Sequence, residues 1–147
     1  MRLLIQRVEW AGVEVESQEV GRIGRGLLVL VGFRREDTEA TLARAAHKLV
    51  NLRLFEDEAG RLNRSLREVG GELLIVSQFT LYGRLEKGFR PSFTEAAPAA
   101  EAQKHYEHFL VLLRQTAPDI RIATGIFGAF MRLHLLNYGP VTLLLEF

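Results

Sequence analysis

Short apolar segments, bounded by glycine, proline and polar residues, run along most of the chain and have the length of β-strands. Segments 26–32 and 72–77 are continuously apolar, which is typical of strands that are buried on both faces. Residues 12–23 predict two short strands joined by a polar turn. The predicted strands are 2–9, 12–16, 19–23, 26–32, 72–77, 131–136 and 141–147.

Two other stretches have the apolar spacing of helices. The first is predicted to begin with Asp37 as its N-cap and to run to about Asn51. The second is predicted to begin at Pro98, which is tolerated at the first helical position, and Pro118 bars its continuation. The apolar stripes are Leu42, Ala46, Leu49 and Val50, and then Tyr106, Phe109, Leu110 and Leu113. The chain therefore predicts an α+β fold, with two helices on one side of a curved, barrel-like sheet that is mostly antiparallel or mixed.

The composition limits what such a domain does. The 147 residues fit a single domain, 1–147, and a net charge of +1 argues against a broad electrostatic grip on nucleic acid. A small protein that contacts only the end of an RNA stays possible, because shape and backbone contacts then matter more than phosphate neutralisation. The chain has no cysteine, which excludes disulfides and thiolate catalysis. No apolar run approaches the roughly 20 residues of a membrane helix, so the cytoplasm is the expected location.

The sequence predicts neither a metal site nor a cofactor. No group of His, Asp and Glu has the spacing of zinc or calcium ligands, and the acidic run 56–58 is interpreted as a solvated turn. None of the four histidines lies in a recognised triad motif. His105 and His108 are expected on the exposed side of the second helix, and His134 lies in a strand.

The segment Ser77–Leu81 is the first candidate for chemistry. It places Ser-Gln-Phe-Thr at the carboxyl end of a buried strand, where sites in sheet proteins are common. Ser77 or Thr80 would need a base within reach to act as a nucleophile. Two other interpretations are open: the hydroxyl groups terminate the strand through local hydrogen bonds, or the backbone N–H groups form an oxyanion hole.

The segment Asn137–Thr142 is the second candidate, with Gly139-Pro140 in a predicted tight turn between two apolar runs. One interpretation is a plain β-turn, since Asn, Gly and Pro are all turn residues. The other is a cis Gly-Pro bond whose carbonyl groups point at a ligand, because X-Pro bonds are the ones that adopt the cis form readily.

Three further features leave alternatives open. Arg90, with Phe89 beside it, is suited to binding phosphate and stacking a base, or belongs to an ordinary surface loop. The glycine-spaced segment Gly125–Met131 is a loop that crosses close to other backbone, or a pocket wall. Arg7 is a charge within an apolar strand, so its face is exposed or carbonyls and carboxylates hold it in the interior.

Four segments together resemble a known family. They are Gly26–Leu30, Val76–Leu81, Arg90–Phe93 and Gly139–Thr142. In this order they resemble the D-aminoacyl-tRNA deacylases that carry a Gly-Pro motif, and the resemblance extends from Ile5 to the C-terminus.

The resemblance implies a homodimer that hydrolyses the ester between a D-amino acid and the terminal adenosine of tRNA, with its site at the dimer interface. It implies that Gly139-Pro140 is cis, enters the partner's site and excludes an L side chain through its carbonyl groups, a steric block. D-amino acids enter, and so does glycine, so glycyl-tRNA mischarged on tRNA-Ala is an expected substrate.

The resemblance also assigns roles to residues. Ser77, Phe79 and Thr80 form the catalytic set, largely through backbone groups, while the neighbouring ribose hydroxyl of the RNA helps to activate water. Substrate binding falls to Arg7, Gln78, Phe89 and Met131, and Arg7 braces the Gly-Pro unit. Tyr138 stands where the family often has an acidic residue, and Tyr82 where it often has a small one.

Two alternatives compete with this reading. A non-catalytic module that binds the 3′ end of tRNA would account for the missing nucleophile–base pair. A conventional hydrolase would use the Thr80 hydroxyl as its nucleophile and pass through an acyl-enzyme.

Overall fold

The computed structural model describes residues 1–86 and 88–147, which form a mixed sheet, a small hairpin and two α-helices. The strands are β1 Arg2–Val15, β2 Gln18–Ile23, β3 Gly26–Gly32, β4 Arg53–Glu56, β5 Leu62–Ser65, β6 Glu72–Ser77, β7 Ile122–Thr124 and β8 Arg132–Glu146. The α-helices are α1 Glu39–Asn51 and α2 Ala99–Thr116, and a short 3-10 helix spans Phe79–Tyr82. Within the described ranges, no helix is long and apolar enough to cross a membrane.

The main sheet has the order β2-β1-β3-β6-β7, and β8 pairs with β1 along its other edge. β3, β6 and β7 run parallel to one another, whereas β1 is antiparallel to β2, β3 and β8. The two ends of the sheet approach each other, since a Cβ added to Gly21 of β2 would lie 2.5 Å from the Thr124 carbonyl oxygen of β7. The predicted curved, barrel-like mixed sheet is therefore confirmed.

The sheet is apolar on both faces, as the continuous runs in β3 and β6 predict. One face packs against α1 and α2, and the predicted stripes of both helices are buried there. The other face forms a second core from Val8, Ala11, Val13, Ile23, Leu28, Leu74 and Val76. Burying one large aliphatic or aromatic side chain contributes about 1.5–3 kcal/mol, so these two layers fix the positions of the strand ends.

The helix starts differ by one residue from the predictions. Thr38 is the N-cap of α1, and its hydroxyl accepts from the Thr41 amide at 3.3 Å. Asp37 is buried instead, and its carboxylate accepts from the Arg34 amide at 2.9 Å. Pro98 is the N-cap of α2 rather than its first helical residue. The Asp37 carboxylate therefore closes the loop between β3 and α1 instead of capping the helix.

Two pairs of predicted strands are each one long strand. Segments 2–9 and 12–16 form β1, which continues with register shifts, and segments 131–136 and 141–147 form β8. The predicted turn between the last two was therefore wrong: the chain does not reverse at Gly-Pro but bulges and continues along β1. A bulge and a turn use the same residues, so the local sequence did not separate them.

The hairpin β4–β5 and strand β7 were not predicted. They are four, four and three residues long, which is too short for a period-2 pattern to stand out.

Candidate active site

A cleft of about 570 Å³ opens at the carboxyl ends of the parallel strands β3 and β6. Its floor comes from the ends of these strands, one wall from the loop after β7, and another from the start of α2. The lining residues are Val31, Phe33, Val76, Ser77, Gln78, Phe79, Ala97, Ala99, Ala102, Phe127, Gly128, Ala129, Phe130, Met131 and Leu133. The cleft is therefore mostly apolar, with its polar groups concentrated where β6 ends.

The backbone at the end of β6 changes from sheet to 3-10 helix. The Gln78 amide donates to the Val31 carbonyl at 2.8 Å, which is the last bond of the ladder with β3. The first amides of a helix have no acceptor inside it. Among the described residues no backbone carbonyl outside the helix accepts from the Phe79 or Thr80 amide. Both amides are thus left for a ligand, as the oxyanion-hole interpretation requires.

The side chains of this rim make few fixed contacts. The Thr80 hydroxyl pairs with the Gln78 side-chain amide, and both groups are exposed. Phe79 is half exposed and packs edge-on against Phe93, with ring centroids 5.0 Å apart. Ser77 lines the cleft, whereas Thr80 lies outside its lining. The rim is held by its backbone and by one aromatic contact.

Histidines stay away from the rim hydroxyls. None of the residues that line the cleft in the described part of the chain is a histidine. His105 stacks on Phe33 at 5.8 Å and its Nε2 atom is buried, so the expectation that it faces solvent was wrong. His134 is exposed and lies 3.3 Å from a Glu14 carboxylate oxygen. The cleft lining supplies no histidine base to a hydroxyl nucleophile.

The loop after β7 is a pocket wall, which decides between the two interpretations of Gly125–Met131. A Cβ on Gly125 would lie 2.5 Å from the Met131 sulfur, so the Met131 side chain packs directly on this glycine. Gly128 has a φ of +77°, which glycine adopts without strain. Met131 lines the cleft and Phe130 is fully exposed at its edge.

Of the four predicted substrate-binding residues, Gln78 and Met131 line the cleft, whereas Phe89 and Arg7 do not. Phe89 is fully exposed and lies outside the cleft lining. Its loop is closed at the base by two hydrogen bonds between the backbones of Arg84 and Ser92, at 2.8 and 3.0 Å. Arg90 is exposed on the same loop. Phe93 brings the far end of this segment back to the rim through Phe79.

Two buried tyrosines fix the backbone next to the rim. The Tyr106 hydroxyl donates to the Ile75 carbonyl of β6 at 2.9 Å, and burial raises its pKa to about 12. Burial likewise raises the pKa of Tyr82 to about 12. The Arg2 guanidinium lies over the Tyr82 ring at 4.6 Å and donates to the Leu81 carbonyl at 2.7 Å.

The Gly-Pro segment lies in the bulge of β8. Gln6 pairs with Thr142 and Val8 pairs with Asn137, so residues 138–141 all lie opposite Arg7. We call residues 138–141 the Gly-Pro bulge. The Gly139–Pro140 peptide bond is cis, as the resemblance implies, and both residues are exposed. The Asn137 side-chain amide donates to the Arg7 carbonyl at 3.0 Å, which ties the bulge to β1.

Arg7 is completely buried, and its guanidinium binds the bulge directly. Nε donates to the Tyr138 carbonyl at 3.0 Å and Nη2 donates to the Gly139 carbonyl at 3.3 Å. Nη1 donates to the Leu54 carbonyl at 2.8 Å, and Nη2 lies 3.4 Å from a Glu56 carboxylate oxygen. Of the two interpretations of this charge, the interior one is confirmed. Glu56 was wrongly interpreted as part of a solvated turn.

The bulge and the cleft lie at opposite ends of β3 in one chain. Arg7 pairs with Leu27 near the start of β3, whereas Ser77 pairs with Val31 near its end. Four residues of a strand span about 13 Å. Gly139 does not line the cleft of its own chain. One chain therefore does not bring Gly139 and the cleft together.

The described part of the chain contains no cluster of side chains suited to binding a metal ion. Residues 1–86 and 88–147 contain no group of three or more His, Cys, Asp or Glu side chains that could hold an ion.

Comparison with known proteins gives matches over the whole chain. Residues 4–146 match the model of a family described as D-Tyr-tRNA(Tyr) deacylase. A D-aminoacyl-tRNA deacylase of Chlorobaculum parvum is 53% identical over 146 residues, which cover 99% of this chain and 97% of that protein. One of Thermosipho africanus is 51% identical over 146 residues, again covering 99% and 97%.

Solved structures agree with this fold. A protein described as c-Myc DNA Unwinding Element Binding Protein superimposes with a TM-score of 0.93 at 43% identity, covering 99% of this chain and 98% of that one. A structure described as a probable eukaryotic D-amino acid tRNA deacylase has a TM-score of 0.84 at 22% identity, covering 98% and 97%. The second similarity concerns the fold alone.

Proposed function

Because this chain belongs to the D-Tyr-tRNA(Tyr) deacylase family, we propose that it hydrolyses the ester that joins a D-amino acid to the 3′-terminal adenosine of tRNA. The resemblance read from the sequence is confirmed by the full-length match. The observation that carries the proposal is the mostly apolar cleft with its polar groups at the end of β6, next to the rim amides of Phe79 and Thr80, which are unpaired in the described part of the chain. Such a cleft suits an aminoacyl group of varied side chain.

The reaction is an ester hydrolysis in which water adds to the carbonyl carbon. The bond from that carbon to the ribose oxygen then breaks, releasing the free D-amino acid and tRNA with its terminal hydroxyl restored. We assign stabilisation of the developing oxyanion to the rim amides, a contribution that is typically worth 10²–10³ in rate per donor. The neighbouring ribose hydroxyl helps to activate the water. No histidine lines the cleft in the described residues, which supports a mechanism without a protein base.

The working unit is a homodimer in which each Gly-Pro bulge enters the partner's cleft. Two observations support this. The bulge and the cleft are at opposite ends of β3, so one copy does not assemble both. The outer strand β8 also leaves Leu136, Leu143 and Leu144 exposed, which is an apolar surface suited to a second copy.

Chiral selection is a steric block by the bulge carbonyl groups. An L side chain would be directed at them, whereas the hydrogen of a D-amino acid would occupy that space. Glycine has no side chain to exclude, so glycyl-tRNA, including glycine mischarged on tRNA-Ala, is also a substrate. Gln78 and Met131 contact the aminoacyl group from the cleft, and Phe89 contacts the RNA from its exposed loop.

A second candidate function is a non-catalytic module that binds the 3′ end of tRNA. It is favoured by one observation: among the described residues, the cleft that Ser77 lines contains no histidine. This module would bind aminoacyl-tRNA without releasing the amino acid.

The test is release of amino acid from matched D-tyrosyl-tRNA and L-tyrosyl-tRNA with the protein in excess and a chelator present. We expect rapid release from the D ester and none above background from the L ester. Binding without release from either ester would establish the binding module instead. A trapped acyl-enzyme that disappears in Thr80→Ala would establish the conventional hydrolase.

A further inference from the structure

The Glu56 carboxylate connects Arg7 to Tyr138, the residue that precedes the Gly-Pro pair. One carboxylate oxygen lies 3.4 Å from Arg7 Nη2, and the other accepts from the Tyr138 hydroxyl at 3.1 Å. Within the described part of the chain these are the hydrogen bonds that the Glu56 side chain makes. The carboxylate therefore serves the Gly-Pro bulge rather than its own hairpin.

Tyr138 holds the same guanidinium in two further ways. Its ring lies against the Arg7 guanidinium, with 4.3 Å from the guanidinium carbon to the ring centre. Its carbonyl accepts from Arg7 Nε at 3.0 Å. With the hydroxyl fixed by Glu56, the side chain and the backbone of Tyr138 enclose Arg7 from two sides.

The guanidinium in turn fixes the Gly139 carbonyl. Nη2 is the nitrogen that faces both the Glu56 carboxylate and the Gly139 carbonyl, at 3.4 and 3.3 Å. A guanidinium is planar, so anchoring Nη2 to a carboxylate also sets the direction in which its other N–H points. Arg7 is fully buried, and a buried cation without a counter-charge would be costly. Glu56 supplies that charge.

We propose that Glu56 and Tyr138 are positioning residues for chiral selection, which set the Gly139 carbonyl through Arg7. This rests on the proposed function, in which that carbonyl blocks an L side chain in the partner's cleft. Both residues act through their contacts with Arg7. Their effect falls on the discrimination between the two esters, because a carbonyl that moves by a fraction of an ångström leaves room for an L side chain.

The test compares the ratio of kcat/KM for L-tyrosyl-tRNA to that for D-tyrosyl-tRNA in three variants. Glu56→Gln keeps the shape but removes the charge, and we expect the ratio to rise about tenfold, the effect of weakening a hydrogen bond to a charged group. Tyr138→Phe keeps the ring and removes the hydroxyl, and we expect a rise of about threefold. Glu56→Asp restores the carboxylate and should return the ratio toward that of the natural protein.

The matched control is Glu58→Gln, on the same hairpin. Its carboxylate is almost fully exposed and lies 3.9 Å from Arg64, so this variant should leave the ratio unchanged. A purely structural role predicts that both esters are affected equally in Glu56→Gln, which would overturn the inference. Thermal unfolding of each variant separates loss of folded protein from loss of discrimination.

Pro140→Ala distinguishes failure of this inference from failure of the proposed function. If Pro140→Ala raises the ratio while Glu56→Gln and Tyr138→Phe do not, the positioning role is wrong and the steric block stands. If Pro140→Ala leaves the ratio unchanged, the bulge is not the filter, and the proposal and the inference fall together.

Discussion

The Gly-Pro bulge and the rim of the cleft are both irregular backbone segments that interrupt or end a strand, yet they are held in opposite ways. The bulge is gripped by a buried guanidinium, whose nitrogens contact two bulge carbonyls, one carbonyl of β4 and a carboxylate. The rim is anchored by the last ladder bond of β6, by one aromatic contact and by a single bond from Arg2 to the Leu81 carbonyl. The polar side chains of the rim mainly contact each other.

This difference matches the two tasks we assign to the segments. A filter must reject a molecule that differs only in the position of one substituent, so its atoms have to be fixed. A cleft that accepts many side chains needs apolar walls and a few backbone donors at the reacting carbonyl. The backbone is fixed most firmly in the bulge, the segment to which we assign the discrimination between D and L esters.

The largest effect is expected from removing Arg7, which binds two carbonyl groups of the bulge. Arg7→Ala leaves two bulge carbonyls and the Leu54 carbonyl without their donor, and an acceptor left unpaired in the interior costs about 1–3 kcal/mol. We expect a large drop in the free energy of unfolding by urea, together with hydrolysis of the L ester. Arg7→Lys should recover part of the stability but not the discrimination, because an ammonium lacks the planar fork. Arg22→Ala, an exposed arginine, serves as the control. If Arg7→Ala distinguished the D ester from the L ester as well as the natural protein does, Arg7 would not be the residue that fixes the filter.

A change in the wall should test the cleft without touching the bulge. Gly125→Ala places a methyl carbon 2.5 Å from the present position of the Met131 sulfur, so the Met131 side chain, which lines the cleft, must shift. We expect the KM for D-tyrosyl-tRNA to rise about fivefold, which corresponds to about 1 kcal/mol of binding free energy. The ratio of kcat/KM for the L ester to that for the D ester should stay unchanged. Steady-state kinetics with both esters measure it. A changed ratio would mean that the wall also discriminates.

A hydrogen bond under the rim gives a smaller effect. Tyr106→Phe loses the bond to the Ile75 carbonyl, and we expect the free energy of unfolding to fall by about 1 kcal/mol.

The natural protein should also lose stability as pH rises from 10 to about 12, because the folded state keeps the Tyr82 and Tyr106 hydroxyls protonated while the unfolded state releases their protons. Tyr106→Phe should flatten part of this alkaline decline. Identical alkaline profiles for both proteins would be the contrary result.

The smallest effect is expected at the rim hydroxyl itself. Thr80→Ala removes a group whose contact is the Gln78 side chain, while the Thr80 amide remains. We expect kcat for the D ester to change by less than about threefold, since no proton transfer passes through this hydroxyl. Single-turnover rates measure it. A loss of 10³-fold or more would reverse our assignment and make Thr80 the nucleophile.

The sequence predicted the architecture because its signals were long and regular. The helix stripes of Leu42–Val50 and Tyr106–Leu113 and the continuous runs of β3 and β6 are all buried as expected. The short elements β4, β5 and β7 escaped, since three or four residues hold no period.

The candidate site was predicted at the level of its two motifs but not of their arrangement. Ser77–Leu81 and Gly139-Pro140 were assigned to a site by the family resemblance, since their composition also fits a strand end and a plain β-turn. The buried state of Arg7 was one of two open interpretations. Glu56 escaped because an acidic run is usually solvated and its partner lies 49 positions away in the chain. A contact across that separation is set by the packing of β4 beside β1 and β8, which no local pattern reports.

We propose that each site joins the cleft of one copy to the bulge of the other. A mixed dimer tests this directly. One copy carries Ala99→Trp, which fills the cleft, and the other carries Pro140→Ala, which relaxes the filter; two affinity tags isolate the mixed species. We predict that the Ala99→Trp dimer is inactive, that the Pro140→Ala dimer hydrolyses both esters, and that the mixed dimer hydrolyses only the D ester. A mixed dimer that still hydrolyses the L ester would show that cleft and bulge act within one copy, and would contradict the account.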